Sequence, residues 1–344
     1  MSYPTSLSHS IEASPDWDSS DGDLMETTDP HGEEAEFRQI HITPFQHGMR
    51  FDLALCQALG DFSRSFVTQL IVDQRVRALD PLGQGSFKPA TKVKAGQIFE
   101  VEIRPSLQSQ AYQPQKMEIE TIFVDDHLRV ISKPAGLVVH PAPGNWTGTL
   151  LNGLLALDEL SWHVPRAGIV HRLDKDTSGL MVIARTRACM DAMVSLISER
   201  LVQRQYLALV HRTWQGGSRD VDLPIGRDPR QRLRMAVVDM VRHPGKPAKT
   251  HVECLDRNEQ VSLLHCTLST GRTHQIRVHL SHLGHPLVGD GLYTGQSIAN
   301  INRQALHAYR LGFVHPMTGH PCEWKQALPE DMGQAIQSLG LRYN

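Results

Sequence analysis

The sequence predicts an α+β chain of two domains, and three observations carry that reading. Strand-like and helix-like segments follow one another without a regular βαβ repeat, which argues for a mixed or antiparallel sheet over a doubly wound one. A compact amphipathic region at residues 48–104 is parted from the rest by residues 105–116, rich in Gln, Ser and Pro and without apolar periodicity. The 344 residues, 40% of them hydrophobic, suffice for two domains with a sizeable core.

Residues 1–38 hold ten acids, from Glu12 to Glu36, against Arg38 alone. Rich in Ser, Thr and Pro and without a hydrophobic period, they read as a disordered acidic tail. An RNA mimic that covers a basic surface is the rarer use of such a charge run. The chain as a whole has 35 basic and 37 acidic residues, so residues 39–344 keep a net excess of seven bases. That excess suits a polyanionic partner.

In the region 48–104, Phe51, Leu53, Ala54, Leu55 and Leu59 share a helical face. Ser63 stands where it can cap a second helix, with Phe66, Val67, Leu70 and Ile71 inward. Residues 97–103 alternate as a half-buried strand does. Arg64, Arg75 and Arg77, with helix N-terminal amides, suit backbone phosphates or a solvated basic edge equally well by spacing. Gly83 and Gly85 form an isolated GxG, too little for a phosphate loop. From Met117 to the end the pattern gives a second domain, 117–344. Residues 181–184 read as a buried strand, and 187–200 as a helix with Met190, Met193, Val194 and Ile197 inward. Residues 204–210 and 261–268 read as strands.

Several classes are disfavoured. No apolar run approaches the roughly 18 residues of a membrane span, and no secretory signal opens the chain. Cys56, Cys189, Cys254, Cys266 and Cys322 show no CxxC spacing and read as reduced core thiols of a cytoplasmic protein. Among the 19 histidines, His140, His243, His285 and His315 precede proline and no HExxH occurs, so no metal is expected. No apolar stripe asks for a second copy, and a monomer is expected.

Three stretches concentrate chemistry. In residues 168–180, His171, Arg172, Asp174, Lys175 and Asp176 crowd a loop between apolar strands. Such a loop is a natural site, although charge clusters more often pair among themselves on the surface. Residues 270–280, read as a helix from Thr273, place His274 and Arg277 on one side and Ile276 and Leu280 on another. An arginine there suits a bidentate carboxylate pair, or simply a basic helix face. Tyr206, in the strand 204–210, can stack on a base; lone strand tyrosines are more often core.

Seven motifs in order resemble the RluA family of pseudouridine synthases: VISKPAGLVVHP (130–141), AGIVHRLDKDTSGLMVIAR (167–185), RQYLALV (204–210), LPIGRD (223–228), GKPAKTHVECL (245–255), TGRTHQIRVHLSHLGHPLVGDGLY (270–293) and RQALHAYRLGFVHPMTG (303–319). Ser132 stands where the family usually has Asn. The stretches 50–59, 63–76 and 92–103 are similar to the small RNA-binding domain named after ribosomal protein S four. There RALDPLGQGSFKPA (77–90) replaces the family's short VNG turn, which implies a longer hairpin. The resemblance spans about residues 48–331.

The resemblance implies a catalytic domain with a mixed, mostly antiparallel sheet, flanking helices and a central cleft, preceded by a small α+β RNA-binding domain. It implies isomerisation of uridines in 23S ribosomal RNA, at the stem-loop called helix 69, on free RNA or a precursor of the large subunit, with no cofactor. Asp174 would be the nucleophile, or the base at the ribose. Arg277 would hold it ionised, with Arg272 as the fallback and otherwise an RNA contact, and Tyr206 would stack on the flipped base. Arg172 would fill the gap left in the duplex, at a site where unstacking costs a few kcal/mol. His171, Lys175 and Arg166 would contact the RNA backbone, His171 with a structural role as the equal alternative.

Rival readings are a non-catalytic ribosome-assembly factor, a synthase acting on other rRNA or tRNA sites, and a hydrolase using His171, Asp174 and Ser178. The hydrolase lacks a G-x-S-x-G elbow.

Overall fold

The computed structural model describes residues 36–343, apart from 61, 63, 80–86, 104–108, 143 and 232. The acidic stretch to residue 35, Ser63, Gly83, Gly85 and most of the first half of the 105–116 linker lie outside the described residues. The chain divides into two compact units, described over residues 36–113 and 114–343.

In the smaller unit, strands β1 (Glu36–His41), β2 (Val76–Ala78) and β3 (Ile98–Ile103) form an antiparallel sheet in the order β1-β3-β2. Helices α1 (Phe51–Leu59) and α2 (Arg64–Val72) share its core. The rings of Phe51, Phe87 and Phe99 lie 4.6 to 5.2 Å apart, a spacing that adds attraction to burial. This unit begins before residue 48. Glu36, Phe37 and Arg38, assigned to the acidic tail by composition, are strand residues, because β1 hydrogen-bonds along β3 over six residues. On α1 the inward face also differs: Leu53 is half-buried, whereas Asp52 is buried among the guanidinium groups of Arg50 and Arg64.

The larger unit is built on a nine-stranded sheet. Its strands run β4 (Glu120–Val124), β5 (Leu128–Lys133), β6 (Ser178–Ala184), β7 (Gln203–His211), β8 (Arg219–Asp222), then β11 (Lys249–Arg257), β12 (Val261–Leu268), β13 (Leu306–Val314) and β14 (Pro321–Lys325). A separate hairpin pairs β9 (Ile225–Arg227) with β10 (Met235–Val237). The sheet order is β4-β5-β6-β13-β7-β12-β11-β8, with β14 beside β13. Every pair is antiparallel except β6 with β13. The sheet is therefore mixed and mostly antiparallel.

Alternation along the strands sends side chains to two cores. On β7, Tyr206, Ala208 and Val210 join a cluster with α3 (Leu150–Leu157) and α5 (Gln275–His282), while Leu209 packs with α6 (Glu330–Ser338). Leu150, Leu151, Leu154 and Leu155 of α3 are buried in the first core, each contributing about 2 kcal/mol. Helix α4 (Arg187–Ser198) packs through Cys189 and Met193. Val194, expected inward, is 41% exposed. The buried face follows the four-residue spacing 189–193, and Val194 lies about 100° away from that stripe. No helix of the described residues is long and apolar enough to cross a membrane.

The single parallel pair matters for the site. It holds Gly179 against Ala308, and a Cβ at Gly179 would sit 2.3 Å from the Ala308 carbonyl oxygen. With φ +120, Gly179 also has a backbone that other residues resist. The Gly179→Ala variant is thus expected to lose at least about 2 kcal/mol of stability, as backbone clashes in a core do. Urea unfolding beside wild type measures that loss.

Candidate active site

A pocket of about 720 Å³ opens in the larger unit. Its wall is the loop between Ile169 and β6, its floor is β7 and the end of β12, and α5 with the preceding residues 269–274 closes it. His171, Arg172, Asp174, Tyr206, Arg272 and Arg277 all line it. Arg166 and Lys175 do not belong to the lining, and Arg64, Arg75 and Arg77 lie in the other unit.

The carboxylate loop is pinned from several sides. The buried Lys133 ammonium donates to the carbonyls of Pro134, Leu137 and Lys175 at 2.8 to 2.9 Å. Arg303 donates to the Asp176 carbonyl at 3.0 Å, and the Gln304 amide to Thr177 Oγ1 at 3.3 Å. Ser178 Oγ bonds His307 Nδ1 at 3.0 Å. Burial pulls Lys133 down to about 7 against the pull of Asp174 and Asp176. Upstream, Arg166, Ala167 and Gly168 form a left-handed turn with φ of 55, 53 and 79. Gly168 is obligatory there, since a Cβ would lie 1.7 Å from the Ala184 carbonyl oxygen.

Arg277 organises the charges. Its Nε and Nη2 donate to the two oxygens of Asp290 at 2.8 and 3.0 Å, and its Nη1 donates to Asp174 Oδ2 at 2.9 Å. The Tyr293 ring lies 5.0 Å from its guanidinium carbon, within cation–π range. Burial, the largest influence on Asp174, would raise its carboxyl. His274, Arg277 and Arg172 together outweigh burial and hold it at about 2. Asp174 is therefore a carboxylate at neutral pH in a side chain only 17% exposed. Burial, with Asp174 nearby, pushes the Tyr206 phenol up to about 12 against Arg204, so Tyr206 is neutral.

Several expectations change. Helix α5 starts at Gln275, two residues later than the pattern predicts, because His274 takes a left-handed conformation with φ 55. His274 Nδ1 meets Tyr293 Oη at 2.8 Å, which fixes that turn. His171 is buried, and its Nε2 accepts from the Val182 amide at 3.1 Å. Burial, helped by Arg204, lowers it to about 3, so the imidazole is neutral at neutral pH. Ser178 and His171 thus have other partners than the hydrolase reading requires. In the smaller unit, Arg64 pairs with Asp52 at 2.8 Å and Arg75 with Glu102 at 3.1 Å. Arg272, the fallback partner of Asp174, donates instead to the Pro247 carbonyl at 3.1 Å.

Residues 127–282 match the RNA pseudouridylate synthase family. A ribosomal large subunit pseudouridine synthase D of Neisseria meningitidis is 44% identical over 306 residues, covering 86% of this chain and 79% of its own length. The chain belongs to the RNA pseudouridylate synthase family. It is an enzyme, an isomerase. A ribosomal large subunit pseudouridine synthase D of Nitrosomonas europaea is likewise 44% identical, over 85% of each chain. The fold is similar to that of human RNA pseudouridylate synthase domain containing 4, with a TM-score of 0.52 and 24% identity over 65% of this chain and 94% of that one.

Sequence reasoning missed Lys133, Arg204, Tyr293 and Asp290. Asp290 lies in the GDGLY stretch, but a partner thirteen positions from Arg277 leaves no periodic trace. Lys133 stands in VISKP, and its acceptors are carbonyls, which carry no side-chain signature.

The Asp174 carboxyl lies below the roughly 3.9 of an unfolded chain, so its contribution is complete above pH ~4 and fades as pH falls toward 2. That contribution is on the order of 2 kcal/mol. Urea titrations between pH 5 and 2 are expected to show wild type losing stability relative to Asp174→Asn; parallel curves contradict the assignment. Asp290→Ala, which leaves buried Arg277 half paired, is expected to cost about 3–5 kcal/mol in the same assay.

Proposed function

We propose that this enzyme converts specific uridines of 23S ribosomal RNA to pseudouridine, on the helix 69 stem-loop, with Asp174 as its nucleophile. The observation that carries the proposal is the largely buried Asp174 carboxylate, held ionised by His274, Arg277 and Arg172 in a pocket that Tyr206 also lines. The relatives named above, by their names, act on the large ribosomal subunit, and this chain takes the same substrate class by similarity.

The reaction breaks the C1′–N1 bond, turns the uracil and joins its C5 to C1′; no cofactor enters that balance. A carboxylate poised at about 2 is ready to attack C1′, or to take the C2′ proton in the glycal variant. The Tyr206 ring offers a face to the flipped base, and its neutral phenol can pass a proton. Arg172, half-buried on the pocket wall, fills the space the base leaves. Arg272, Lys175 and Arg166 contact phosphates, giving affinity a salt dependence. Arg77, exposed in the smaller unit, adds a further RNA contact. Arg64 and Arg75 contribute through their exposed edges, since their carboxylate partners already neutralise them. The protein works as a monomer in the cytoplasm, on RNA or on a precursor of the large subunit.

Release of tritium from carbon-5-labelled large-subunit RNA tests the reading. Wild type is expected to release label at helix 69, and Asp174→Asn to release none while binding RNA within a few-fold. Substantial release by the variant removes Asp174 from the nucleophile's role. A chain lacking residues 1–104 is expected to stay folded yet bind RNA more weakly or choose other sites; an unfolded product contradicts the two-domain reading.

A further inference from the structure

Arg204 stands out in the pocket because nothing answers its charge. It lies on β7 two residues before Tyr206, on the same face, and is 6% exposed. Its Nε has no partner, and no hydrogen bond or ion pair among the described residues engages its guanidinium. The side chain lines the pocket, and Gly271 covers it so closely that a Cβ there would lie 2.8 Å from Nη1. A buried arginine normally pairs with a carboxylate or phosphate. Arg277 in the same pocket has two carboxylates; Arg204 has none.

We propose that Arg204 is a catalytic residue that binds the uracil while it is detached from the ribose, hydrogen-bonding a carbonyl oxygen that carries its negative charge. This rests on the function proposed above. When the C1′–N1 bond breaks, its electron pair leaves with the uracil, and the charge spreads from N1 onto O2 and O4. C1′ bonds to Asp174, or gives up the neighbouring C2′ proton to it, and Arg204 keeps its own proton throughout. The guanidinium lies one step along the strand from Tyr206, the platform for the base. It sits on the floor, whereas Arg200, Lys246 and Arg272 are exposed and Arg227 half-exposed along the lining. Those outer cations meet the phosphates, which must stay at the mouth where the strand runs on. A floor cation meets the base. Its charge is least compensated in the resting enzyme and best compensated when the leaving group is an anion, so it lowers the barrier rather than tightening binding.

The test compares wild type, Arg204→Gln and Arg204→Lys by single-turnover tritium release, by RNA affinity across salt concentrations, and by thermal unfolding. Arg204→Gln is expected to slow the chemical step about 10²-fold or more, with RNA affinity and its salt slope close to wild type. Arg204→Lys, which keeps a charge but loses the planar fork, is expected to fall between. On RNA with 5-fluorouridine at the target, whose uracil leaves more readily as an anion, the deficit in glycosidic cleavage is expected to shrink. That narrowing separates charge stabilisation from a structural role, and Arg204→Lys alone reads it if Arg204→Gln does not fold. Weaker binding with a shallower salt slope would place a phosphate on Arg204 and overturn the proposal, as would equal deficits on both substrates. Wild type inactive on every RNA would instead overturn the proposed function.

Discussion

The candidate active site depends on one buried guanidinium shared by two carboxylates. Asp290 takes the bidentate edge of Arg277, which fixes the plane of the group and leaves Nη1 pointing at Asp174. Asp174 could not stay ionised so far from water alone. With Arg277 between them the trio carries one net negative charge, and Asp174, more exposed than Asp290, presents it to the pocket. Stability and reactivity thus come from the same contact. The fixed pair with Asp290 positions the arginine, and the single bond to Asp174 leaves its other oxygen for chemistry.

The loop that carries Asp174 is held through its backbone. Lys133 draws in the Lys175 carbonyl, Arg303 the Asp176 carbonyl, and the parallel β6–β13 pair locks residues 178 and 179 just downstream. These contacts make few demands on the loop's own side chains. His171, Arg172 and Lys175 are then left to other tasks: the first two line the pocket, one buried and one half-buried, and the third faces solvent. Such pre-organisation lets a carboxylate meet a substrate atom without first ordering a loop.

How much of this was legible follows from what each feature rests on. Strand β12 begins and ends where the sequence predicts, at 261 and 268, because an apolar run bounded by polar residues marks a strand buried on both faces. Strands β6 and β7 were legible in the same way, and helices α1, α2 and α4 through apolar residues three and four positions apart. The start of α5 was not, since a left-handed His274 obeys a tertiary bond to Tyr293 and no local rule. Strand β1 was hidden because its partner is sixty residues away and its composition is that of the acidic stretch before it. The charged loop and the seven motifs pointed to residues that line one pocket. The arrangement of its charges was invisible, for Lys133 bonds only carbonyls, Asp290 stands thirteen residues from Arg277, and the Arg204 Nε has no partner that a pattern could reveal.

The pocket's cations fall into two electrostatic classes, and that division gives its chemistry a direction. Arg277 is more than neutralised, so its role is complete before any substrate arrives. Arg204, two residues before Tyr206 on the same strand, is buried without a counter-ion among the described residues, at a cost that the resting fold bears. A site with an ionised carboxylate on one wall and an unanswered cation on the floor is polarised across the space that a flipped nucleotide would fill. In the proposed reaction, cleaving a bond so that carbon turns toward the carboxylate while its electrons move toward the cation would discharge that polarisation. The field costs stability in the empty enzyme and is relieved along the reaction coordinate, which is where binding energy raises a rate rather than merely an affinity.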